Sequence, residues 1–408
     1  MLTAPKGLRT HIGLFGRMNV GKSSVLNTLA NQDVAITSAV PGTTTDVVEK
    51  PMELLPLGPV VIMDTAGLDD ESALGTARKE RTFKAMERSD VMVLVVESEQ
   101  WGELEESVIH RARQRHCPLV IIINKVDQRA VSAAFVERLR GYTRHVVSGA
   151  CVGEGRAAFG RAIREALIAA GRERETQQQP LLGDLISAGD VVVMIVPIDL
   201  EAPRGRLILP QVHAIRDALD HNALALVVKE HQYRDALQQL VAPPALVICD
   251  SQVVDKMVAE TPPQVRCTTF SILMARMKGE LSEQVQAVAA LRALRAGDRV
   301  LIAEACSHHP LPDDIGREKL PRWLRRSYGA EIAIEVVSGR DFPQDVSGYK
   351  AIIHCGACML TREEMLQRLR IARSAGIPVT NYGLCIAALH GVLPRVLEPF
   401  PELLRLVA

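Results

Sequence analysis

The sequence has few aromatic residues and no excess of either charge. Phenylalanine, tryptophan and tyrosine make up 3% of the 408 residues, which leaves few side chains on which nucleic-acid bases could stack. Lysine and arginine together number 48, as do aspartate and glutamate, so the formal net charge is zero. General binders of nucleic acid or of anionic membranes are basic. We therefore expect neither nucleic acid nor a membrane among the partners.

Long hydrophobic runs and closely spaced cysteines are also scarce. The longest apolar runs, such as 91–96 and 191–198, have the length of strands, whereas a membrane-spanning helix needs about 20 apolar residues. The first ten residues are polar and basic and lack the apolar segment of a signal peptide, so we expect a cytoplasmic protein. Eight cysteines with a single close pair do not form a disulfide framework. Such a pair in a cytosolic protein indicates metal binding or catalysis.

A phosphate-binding loop follows the first predicted strand, which covers residues 11–15. Gly16, Gly21, Lys22 and Ser23 occupy the fixed positions of the P-loop pattern, and a predicted helix comes directly after them. The glycines let main-chain N–H groups surround the phosphates, Lys22 reaches the outer phosphates, and the Ser23 hydroxyl coordinates Mg²⁺. The other residues that we expect to contact the nucleotide in this loop are Asn19, Val20 and Ser24.

Two further segments fit the parts of a GTPase that sense the γ-phosphate. Residues 41–46 read Pro-Gly-Thr-Thr-Thr-Asp, and we expect Thr44 to sense Mg²⁺ and the γ-phosphate. A predicted strand ends in Asp64-Thr65-Ala66-Gly67. There we expect Asp64 to hold Mg²⁺ through water and the Gly67 N–H to contact the γ-phosphate.

The base is predicted to be guanine. A strand over 119–123 ends in Asn124-Lys125-Val126-Asp127. The Asp127 carboxylate accepts hydrogen bonds from the N1–H and 2-amino groups of guanine, a pair of donors that adenine lacks. Ser148-Gly149-Ala150 stands where the last guanine-contacting loop belongs, although it departs from the usual Ser-Ala order.

These motifs, in this order over about 150 residues, resemble the translation-factor-like small GTPases, nearest to the Era and tRNA-modifying (MnmE-like) group. Leu68 occupies the position of the water-orienting glutamine of Ras-like enzymes, so we expect slow hydrolysis without additional charge. In the group that this domain resembles, an asparagine of the P-loop helps to bind K⁺. Asn19 matches that asparagine, so the resemblance implies K⁺-stimulated hydrolysis.

The composition and periodicity predict an α/β chain of three domains, at 1–171, 172–265 and 266–408. A charged, polar segment at 172–180 marks the first boundary. The middle domain alternates short strands and helices, which indicates a small parallel sheet, and it carries no catalytic constellation. Its exposed edges suit either dimerisation or a plain spacer. The third domain alternates in the same way and includes predicted helices over Glu280–Leu294 and Asp314–Tyr328.

Soft metal ligands follow two predicted strands of the third domain. Cys306 comes after the strand at 299–303, and Cys355 and Cys358 come after the strand at 349–353. Because parallel strands deliver such loops to one edge of a sheet, we expect the three thiols to converge. Three interpretations compete: a 4Fe–4S cluster, a structural zinc ion with one histidine, or packed free thiols. For a cluster, the candidates for the fourth ligand are His308, His354, Glu304 and water.

Segments in all three domains resemble the HydF family, the maturation GTPases of iron-only (FeFe) hydrogenase. The segments that carry the resemblance are residues 41–46, 64–70, 202–211, 304–309, 354–360 and 381–383. The resemblance implies a 4Fe–4S cluster on Cys306, Cys355 and Cys358 and a homodimer formed by the middle domain. It also implies a scaffold that receives a di-iron precursor from two radical-SAM maturases and passes it to the apo FeFe-hydrogenase. An RNA-modifying GTPase and a zinc-stabilised GTP switch are the alternatives.

Overall fold

The computed structural model describes residues 9–30, 47–69, 75–176, 179–197, 207–306, 314–329, 331–339 and 341–407. Thr44, with the whole segment 41–46, and His308 therefore lie outside the described residues. The chain divides into two compact units, residues 1–178 and 179–408, and each is described by itself. Within the described residues, no helix is both long enough and apolar enough to cross a membrane.

The first unit is built on one six-stranded sheet with strand order β2-β3-β1-β4-β5-β6. All neighbouring strands are parallel except β2 and β3, which are antiparallel. The strands are β1 (Thr10–Phe15), β2 (Val48–Leu54), β3 (Gly58–Asp64), β4 (Val91–Glu97), β5 (Leu119–Asn124) and β6 (His145–Ser148). The helices are α1 (Lys22–Ala30), α2 (Gly75–Arg88), α3 (Glu103–Gln114), α4 (Ala133–Arg140) and α5 (Arg156–Thr176).

The central strands of this sheet are apolar throughout because both faces are covered. In β4, Val91, Val93 and Val95 belong to one hydrophobic core, and Met92, Leu94 and Val96 belong to the other. Side chains alternate between the two faces of a strand, so every position of a strand that lies between two helical layers is buried and favours an apolar residue. Burial on both faces of the sheet thus holds β1, β3 and β5 in place. The nucleotide-binding motifs lie at the carboxyl ends of these three strands.

Strand β2 was not predicted from the sequence, and its composition explains why. It reads Val-Glu-Lys-Pro-Met-Glu-Leu and has one fully buried residue, Leu54, at its end. Charged residues and a proline are tolerated here because β2 is an edge strand of its sheet.

The second unit contains two parallel sheets of four strands each, with orders β10-β9-β7-β8 and β12-β11-β13-β14. The first comprises β7 (Val191–Ile195), β8 (Leu224–Val228), β9 (Leu246–Cys249) and β10 (Arg266–Thr269). The second comprises β11 (Arg299–Ala303), β12 (Ala333–Val337), β13 (Ala351–His354) and β14 (Val379–Asn381). The α/β class predicted from the sequence is confirmed.

Helices connect and cover these strands. They are α6 (Leu209–Asp220), α7 (Tyr233–Gln239), α8 (Val254–Glu260), α9 (Phe270–Lys278), α10 (Leu281–Gln286), α11 (Val288–Arg292), α12 (Leu320–Tyr328), α13 (Arg362–Ser374), α14 (Tyr382–Leu389), α15 (Leu393–Val396) and α16 (Pro401–Leu404). A 3₁₀ turn spans Ser251–Val253, and a π-helical turn spans Ile315–Lys319.

The two sheets of the second unit share one hydrophobic core. That core includes Val193 of β7, Ile302 of β11 and Ile353 of β13, together with Ile272 of α9. The predicted boundary between residues 265 and 266 falls between β9 and β10, which are neighbours in one sheet. The other predicted boundary, after residue 171, falls within α5.

The helix predicted over Glu280–Leu294 is two helices, so that prediction was wrong. Helix α10 ends at Gln286, α11 begins at Val288, and Ala287 between them has a ψ angle of −17°. Both helices keep an apolar face, with Val285 on the first and Val288 on the second buried. The helix predicted over Asp314–Tyr328 likewise begins with the π-helical turn before α12.

Candidate nucleotide site and candidate cluster site

The loop between β1 and α1 has the main-chain conformation of a phosphate-binding loop. Gly16, Asn19 and Gly21 have positive φ angles of 145°, 60° and 92°. A Cβ atom on Gly21 would lie 2.2 Å from the Nδ2 atom of Asn124, so a larger residue would have to displace that side chain in addition to adopting the positive φ angle. Asn124 Nδ2 also donates a 2.9 Å hydrogen bond to the carbonyl of Val20. The P-loop is therefore tied to the segment that is predicted to bind guanine.

Lys22 is buried at the start of α1. Its Nζ atom donates hydrogen bonds to the main-chain carbonyls of Gly16 and Arg17, at 3.1 and 2.7 Å. Burial lowers the pKa of Lys22 to about 8, and the nearby Asp64 and Asp69 carboxylates oppose that shift. The ammonium group lies inside the P-loop, where a phosphate would meet it.

Ser23 and Asp64 form a pair of oxygen ligands next to this loop. The Ser23 hydroxyl donates a 2.6 Å hydrogen bond to Oδ2 of Asp64. Asp64 Oδ1 is buried and has no hydrogen-bond partner among the described residues. Burial is also the main reason that the pKa of Asp64 is raised. A buried carboxylate oxygen without a partner, beside a hydroxyl, fits Mg²⁺, which prefers oxygen ligands.

Gly67 lies against the P-loop, as its predicted role requires. A Cβ atom there would stand 2.7 Å from the main-chain nitrogen of Met18. Two hydrogen bonds connect the P-loop with the segment after β3. Met18 N–H donates to Oδ1 of Asp69 at 2.6 Å, and Leu68 N–H donates to the Gly16 carbonyl at 3.3 Å. Sequence reasoning missed Asp69, because a single aspartate after the Asp64 segment has no spacing that distinguishes it.

The two segments predicted to bind guanine lie next to each other. Gly149 N–H donates to the carbonyl of Ile123 at 3.0 Å, and Val126 N–H donates to the carbonyl of Gly149 at 3.4 Å. Asp127 is exposed, and Ser148 is exposed as well. A Cβ atom on Gly149 would lie 2.2 Å from the Phe159 ring, which explains the glycine in this loop.

The loops after β11 and β13 meet at the carboxyl edge of their sheet. Ala303 and His354 are partners in the strand register, and Cys355 N–H donates to the Ala303 carbonyl at 2.9 Å. Ala305 N–H donates to Sγ of Cys355 at 3.0 Å. Cys306 is the next residue after Ala305, so the two cysteine-bearing loops are adjacent.

Cys355 lies within electrostatic reach of the other two predicted cysteines. Burial raises the pKa of Cys355 to about 12, and both Cys358 and Cys306 contribute to the increase. Burial also raises the pKa of Cys358, whereas the Lys278 ammonium lowers it. Each of the three residues is half-buried. Their thiols are soft ligands of the kind that bind iron–sulfur clusters.

His354 and Glu304 differ in how well they fit the predicted ligand set. The His354 ring is fully buried, with Nδ1 2.9 Å from the Cys355 carbonyl and Nε2 3.0 Å from Nη1 of Arg368. Because His354 precedes Cys355 at the end of a strand, its ring faces away from that thiol and packs near Phe342. We therefore leave His354 out of the proposed ligand set.

Glu304 is a buried carboxylate directly after the end of β11. Its Oε1 atom is 3.5 Å from the Tyr382 hydroxyl, and its Oε2 atom is 3.4 Å from Nε of Arg317. The Cys355 and Cys306 thiols both act on the pKa of Tyr382, which burial raises. Glu304 thus stays a candidate ligand.

Among the residues that the structure describes, no three His, Cys, Asp or Glu side chains are grouped around a single metal ion. A 4Fe–4S cluster binds each thiolate at a different iron atom, so its ligands need not surround one point. The soft donors that converge here fit such a cluster. Sequence reasoning missed Lys278, whose ammonium contacts the turn that carries Cys358.

The fold and the first site together define a class of protein: a P-loop GTPase domain, which takes GTP with Mg²⁺, followed by a second α/β unit with two sheets. Family models match the chain in three places. Residues 11–125 match a 50S ribosome-binding GTPase model, residues 181–279 a hydrogen maturase F dimerization domain, and residues 282–399 a hydrogen maturase F tetramerization domain. The last two models together cover more than half of the 408 residues. The chain belongs to the hydrogen maturase F (HydF) family, whose members are hydrogenase maturation GTPases.

Curated relatives that match the GTPase part of the chain include tRNA modification GTPases. The tRNA modification GTPase MnmE of Trichodesmium erythraeum is 40% identical over 134 residues, which are 31% of this chain and 28% of MnmE. MnmE of Nitrosomonas europaea is 39% identical over 148 residues, 35% of this chain and 31% of MnmE. The chain thus spans less than a third of the length of these relatives. Among solved structures, Aquifex aeolicus Era is 16% identical with a TM-score of 0.34, covering 56% of this chain and 97% of Era.

Proposed function

We propose that this hydrogenase maturation GTPase is also an iron–sulfur scaffold and carrier. Cys306, Cys355 and Cys358 hold a 4Fe–4S cluster, and a di-iron precursor made by two radical-SAM maturases is the cargo. The protein transfers this cargo to the apo FeFe-hydrogenase in the cytoplasm. Residues 1–171 bind GTP, 172–265 form the dimer, and 266–408 hold the cluster.

The observation that carries the proposal is the adjacency of the two cysteine-bearing loops, joined by the hydrogen bond from Ala305 N–H to Cys355 Sγ. Three thiolates are one fewer than an ordinary 4Fe–4S cluster uses, so one iron takes a weaker ligand. Glu304 and His308 are the candidate residues for that position, with water as the third option. A site with an exchangeable ligand gives the cargo a place to attach.

In the GTPase domain, Lys22 neutralises charge on the outer phosphates, and Ser23 with Asp64 holds Mg²⁺. Thr44 and the Gly67 N–H report whether the γ-phosphate is present, and Asp127 selects guanine. Asn19, exposed in the P-loop, is the proposed K⁺ contact that offsets the missing glutamine at Leu68. Loss of the γ-phosphate rearranges these segments and changes the affinity for a maturase or for the hydrogenase.

The proposed dimer forms through β8, an edge strand of its sheet in the described part of the chain. Leu224 and Val227 of this strand are 60% and 41% exposed, although both are apolar. An exposed, apolar edge strand is a surface that pairs with a second chain. The match of residues 181–279 to a dimerization domain agrees with this location.

A transfer assay tests the carrier role. The full chain is produced anaerobically with the two radical-SAM maturases, purified, and mixed with apo FeFe-hydrogenase, and hydrogen evolution is measured. We expect activation by the wild-type chain and none by Cys355→Ser. The matched control is Cys249→Ala, which changes a buried thiol of the other sheet and should activate as the wild type does. Absence of activation by the wild-type chain would contradict the carrier role.

The same preparation discriminates the alternatives. A zinc-stabilised GTP switch would contain zinc in place of iron and would activate no hydrogenase. An RNA-modifying GTPase would bind RNA with an affinity that falls steeply as the salt concentration rises. The MnmE relatives match only the GTPase part of this chain, so their similarity supports GTP use and not RNA modification.

A further inference from the structure

Lys278 is a buried lysine that contacts the turn between β13 and α13. It is the last residue of α9, and 4% of its surface is exposed. Its Nζ atom donates hydrogen bonds to the main-chain carbonyls of Ala357, Cys358 and Leu360, at 3.1, 3.3 and 2.5 Å. One ammonium group thus joins three carbonyls of a turn that lies 79 to 82 residues further along the chain.

These contacts act on the shape of the turn that carries Cys358. Ala357 has a positive φ angle of 53°, which costs free energy for a residue with a side chain. Leu360 N–H donates to the Ala357 carbonyl at 3.1 Å, so the turn closes on itself while its carbonyls converge on Lys278. An ammonium has three N–H donors, one for each of these carbonyls.

The charge of Lys278 also matters, because a buried ammonium is costly unless its surroundings compensate for it. Main-chain carbonyls supply part of that compensation. An anionic group at the Cys358 sulfur would supply more, and in a low-dielectric interior the attraction between opposite charges is strong. A thiolate-bound iron–sulfur cluster is such an anionic group.

We propose that Lys278 is a positioning residue of the cluster site: its ammonium fixes the turn from Cys355 to Leu360 and its charge stabilises the bound anionic cluster. This inference rests on the proposed function, in which the three cysteines hold a 4Fe–4S cluster. It assigns two separable effects to Lys278, one on the main chain of the turn and one on the electrostatics of the cluster.

Two substitutions separate the effects. Lys278→Met keeps an unbranched apolar chain and removes both the donors and the charge. Lys278→Arg keeps the charge, but the planar guanidinium presents its donors as a rigid fork that does not match three converging carbonyls. Lys350→Met is the control, because Lys350 is an exposed lysine of the same unit. Thermal unfolding followed by circular dichroism verifies that each variant folds, and Lys278→Gln replaces Lys278→Met if the latter does not.

The first measurement is hydrogen exchange of residues 355–366 in the iron-free full chain. We expect both Lys278 variants to exchange faster than the wild type by about tenfold, as the loss of a hydrogen bond to a charged donor predicts. Lys350→Met should exchange at the wild-type rate. Unchanged exchange in Lys278→Met would overturn the role of Lys278 in fixing the turn. This result does not depend on whether the wild type binds a cluster.

The second measurement uses the anaerobically reconstituted full chain. Iron per chain is determined, and the midpoint potential of the cluster is obtained from a reductive titration followed by EPR. We expect Lys278→Met to shift the potential to more negative values, because the reduced cluster carries more negative charge, and Lys278→Arg to stay near the wild type. Equal potentials in the wild type and Lys278→Met would overturn the electrostatic effect. An iron-free wild type would instead overturn the proposed function itself.

Discussion

The main-chain N–H of Ala305 donates a 3.0 Å hydrogen bond to the sulfur of Cys355. Ala305 follows β11 and Cys355 follows β13, so this contact joins the two loops that carry the predicted cluster ligands. Because β11 and β13 are parallel neighbours, the loops that follow them lie at one edge of the sheet. N–H donors to a ligand sulfur are among the groups that tune a metal site. Under the proposed function, the Ala305 N–H is one of the groups that would tune a cluster bound to Cys355.

Replacement of a single ligand cysteine should abolish stable iron binding. We expect Cys358→Ser, reconstituted anaerobically, to retain a small fraction of the wild-type iron, because a serine hydroxyl is a poor ligand for iron in a sulfur site. Iron and sulfide are measured chemically after desalting. Cys385→Ala is the control: Cys385 is fully buried in α14, so its loss should lower the free energy of unfolding by about 1 kcal/mol and leave iron unchanged. Full iron content in Cys358→Ser would remove that cysteine from the ligand set.

Removal of the P-loop lysine should stop hydrolysis and spare the cluster. We expect Lys22→Ala to lower kcat for GTP by about 100-fold or more, because one preorganised donor to developing charge is worth that much. Phosphate release and iron content are measured on the same preparation. Lys50→Ala, on the edge strand β2, should hydrolyse GTP at the wild-type rate. A Lys22→Ala chain that hydrolyses GTP normally would place the phosphate site elsewhere.

Potassium should accelerate GTP hydrolysis if Asn19 contributes to a K⁺ site. We expect the wild-type rate to be several-fold higher in K⁺ than in Na⁺ at equal ionic strength, and the two rates to be equal in Asn19→Ala. Asn222→Ala is the control for backbone strain, because Asn222 has a positive φ angle of 57°, close to the 60° of Asn19. Each substitution carries the same backbone strain, and only the first should remove the K⁺ effect. Identical wild-type rates in the two salts would refute the idea.

A lysine on the β8 edge should separate the proposed dimer. Leu224 N–H donates to the Asp190 carbonyl, and the Val228 carbonyl accepts from Val196 N–H, so the main-chain groups of these two residues point into the sheet. Main-chain groups of successive residues alternate between the two sides of a strand. The N–H and C=O groups of Val227 therefore point toward the open edge. Lysine on an edge strand opposes pairing with another strand. We expect Val227→Lys to halve the mass measured by light scattering. Val241→Lys, at a fully exposed valine after α7, should keep the wild-type mass. An unchanged mass in Val227→Lys would exclude the β8 edge as the interface.

The sequence was sufficient to predict the α/β class and the positions of the nucleotide motifs. Strands such as β4 and β5 are continuous apolar runs, and each motif follows directly from the end of a buried strand. Periodicity did not reveal the break at Ala287, because the apolar positions continue at helical spacing across it. Strands β2, β6 and β10 were missed. All three are edge strands, and charged or polar residues interrupt their apolar signal.

The candidate cluster site was predicted from its cysteines but not from its surroundings. His354 was a reasonable candidate ligand by spacing, yet the alternation of side chains along β13 turns its ring toward Phe342 and Arg368. Lys278 and Tyr382 come from α9 and α14, which are distant in sequence from the cysteines. Only the packing of those helices against the sheet brings them close, and no local pattern encodes that.

Metal analysis combined with EPR tests whether this chain holds an iron–sulfur cluster with one exchangeable position. The full chain is purified anaerobically, its iron and acid-labile sulfide are quantified, and its EPR spectrum is recorded after reduction with dithionite, with and without added imidazole. We predict iron and sulfide in equal amounts and the EPR signal of a reduced 4Fe–4S cluster, and we expect imidazole to alter that signal by binding the open iron. A colourless preparation that contains zinc or no metal, or a cluster signal that added ligands leave unchanged, would contradict it.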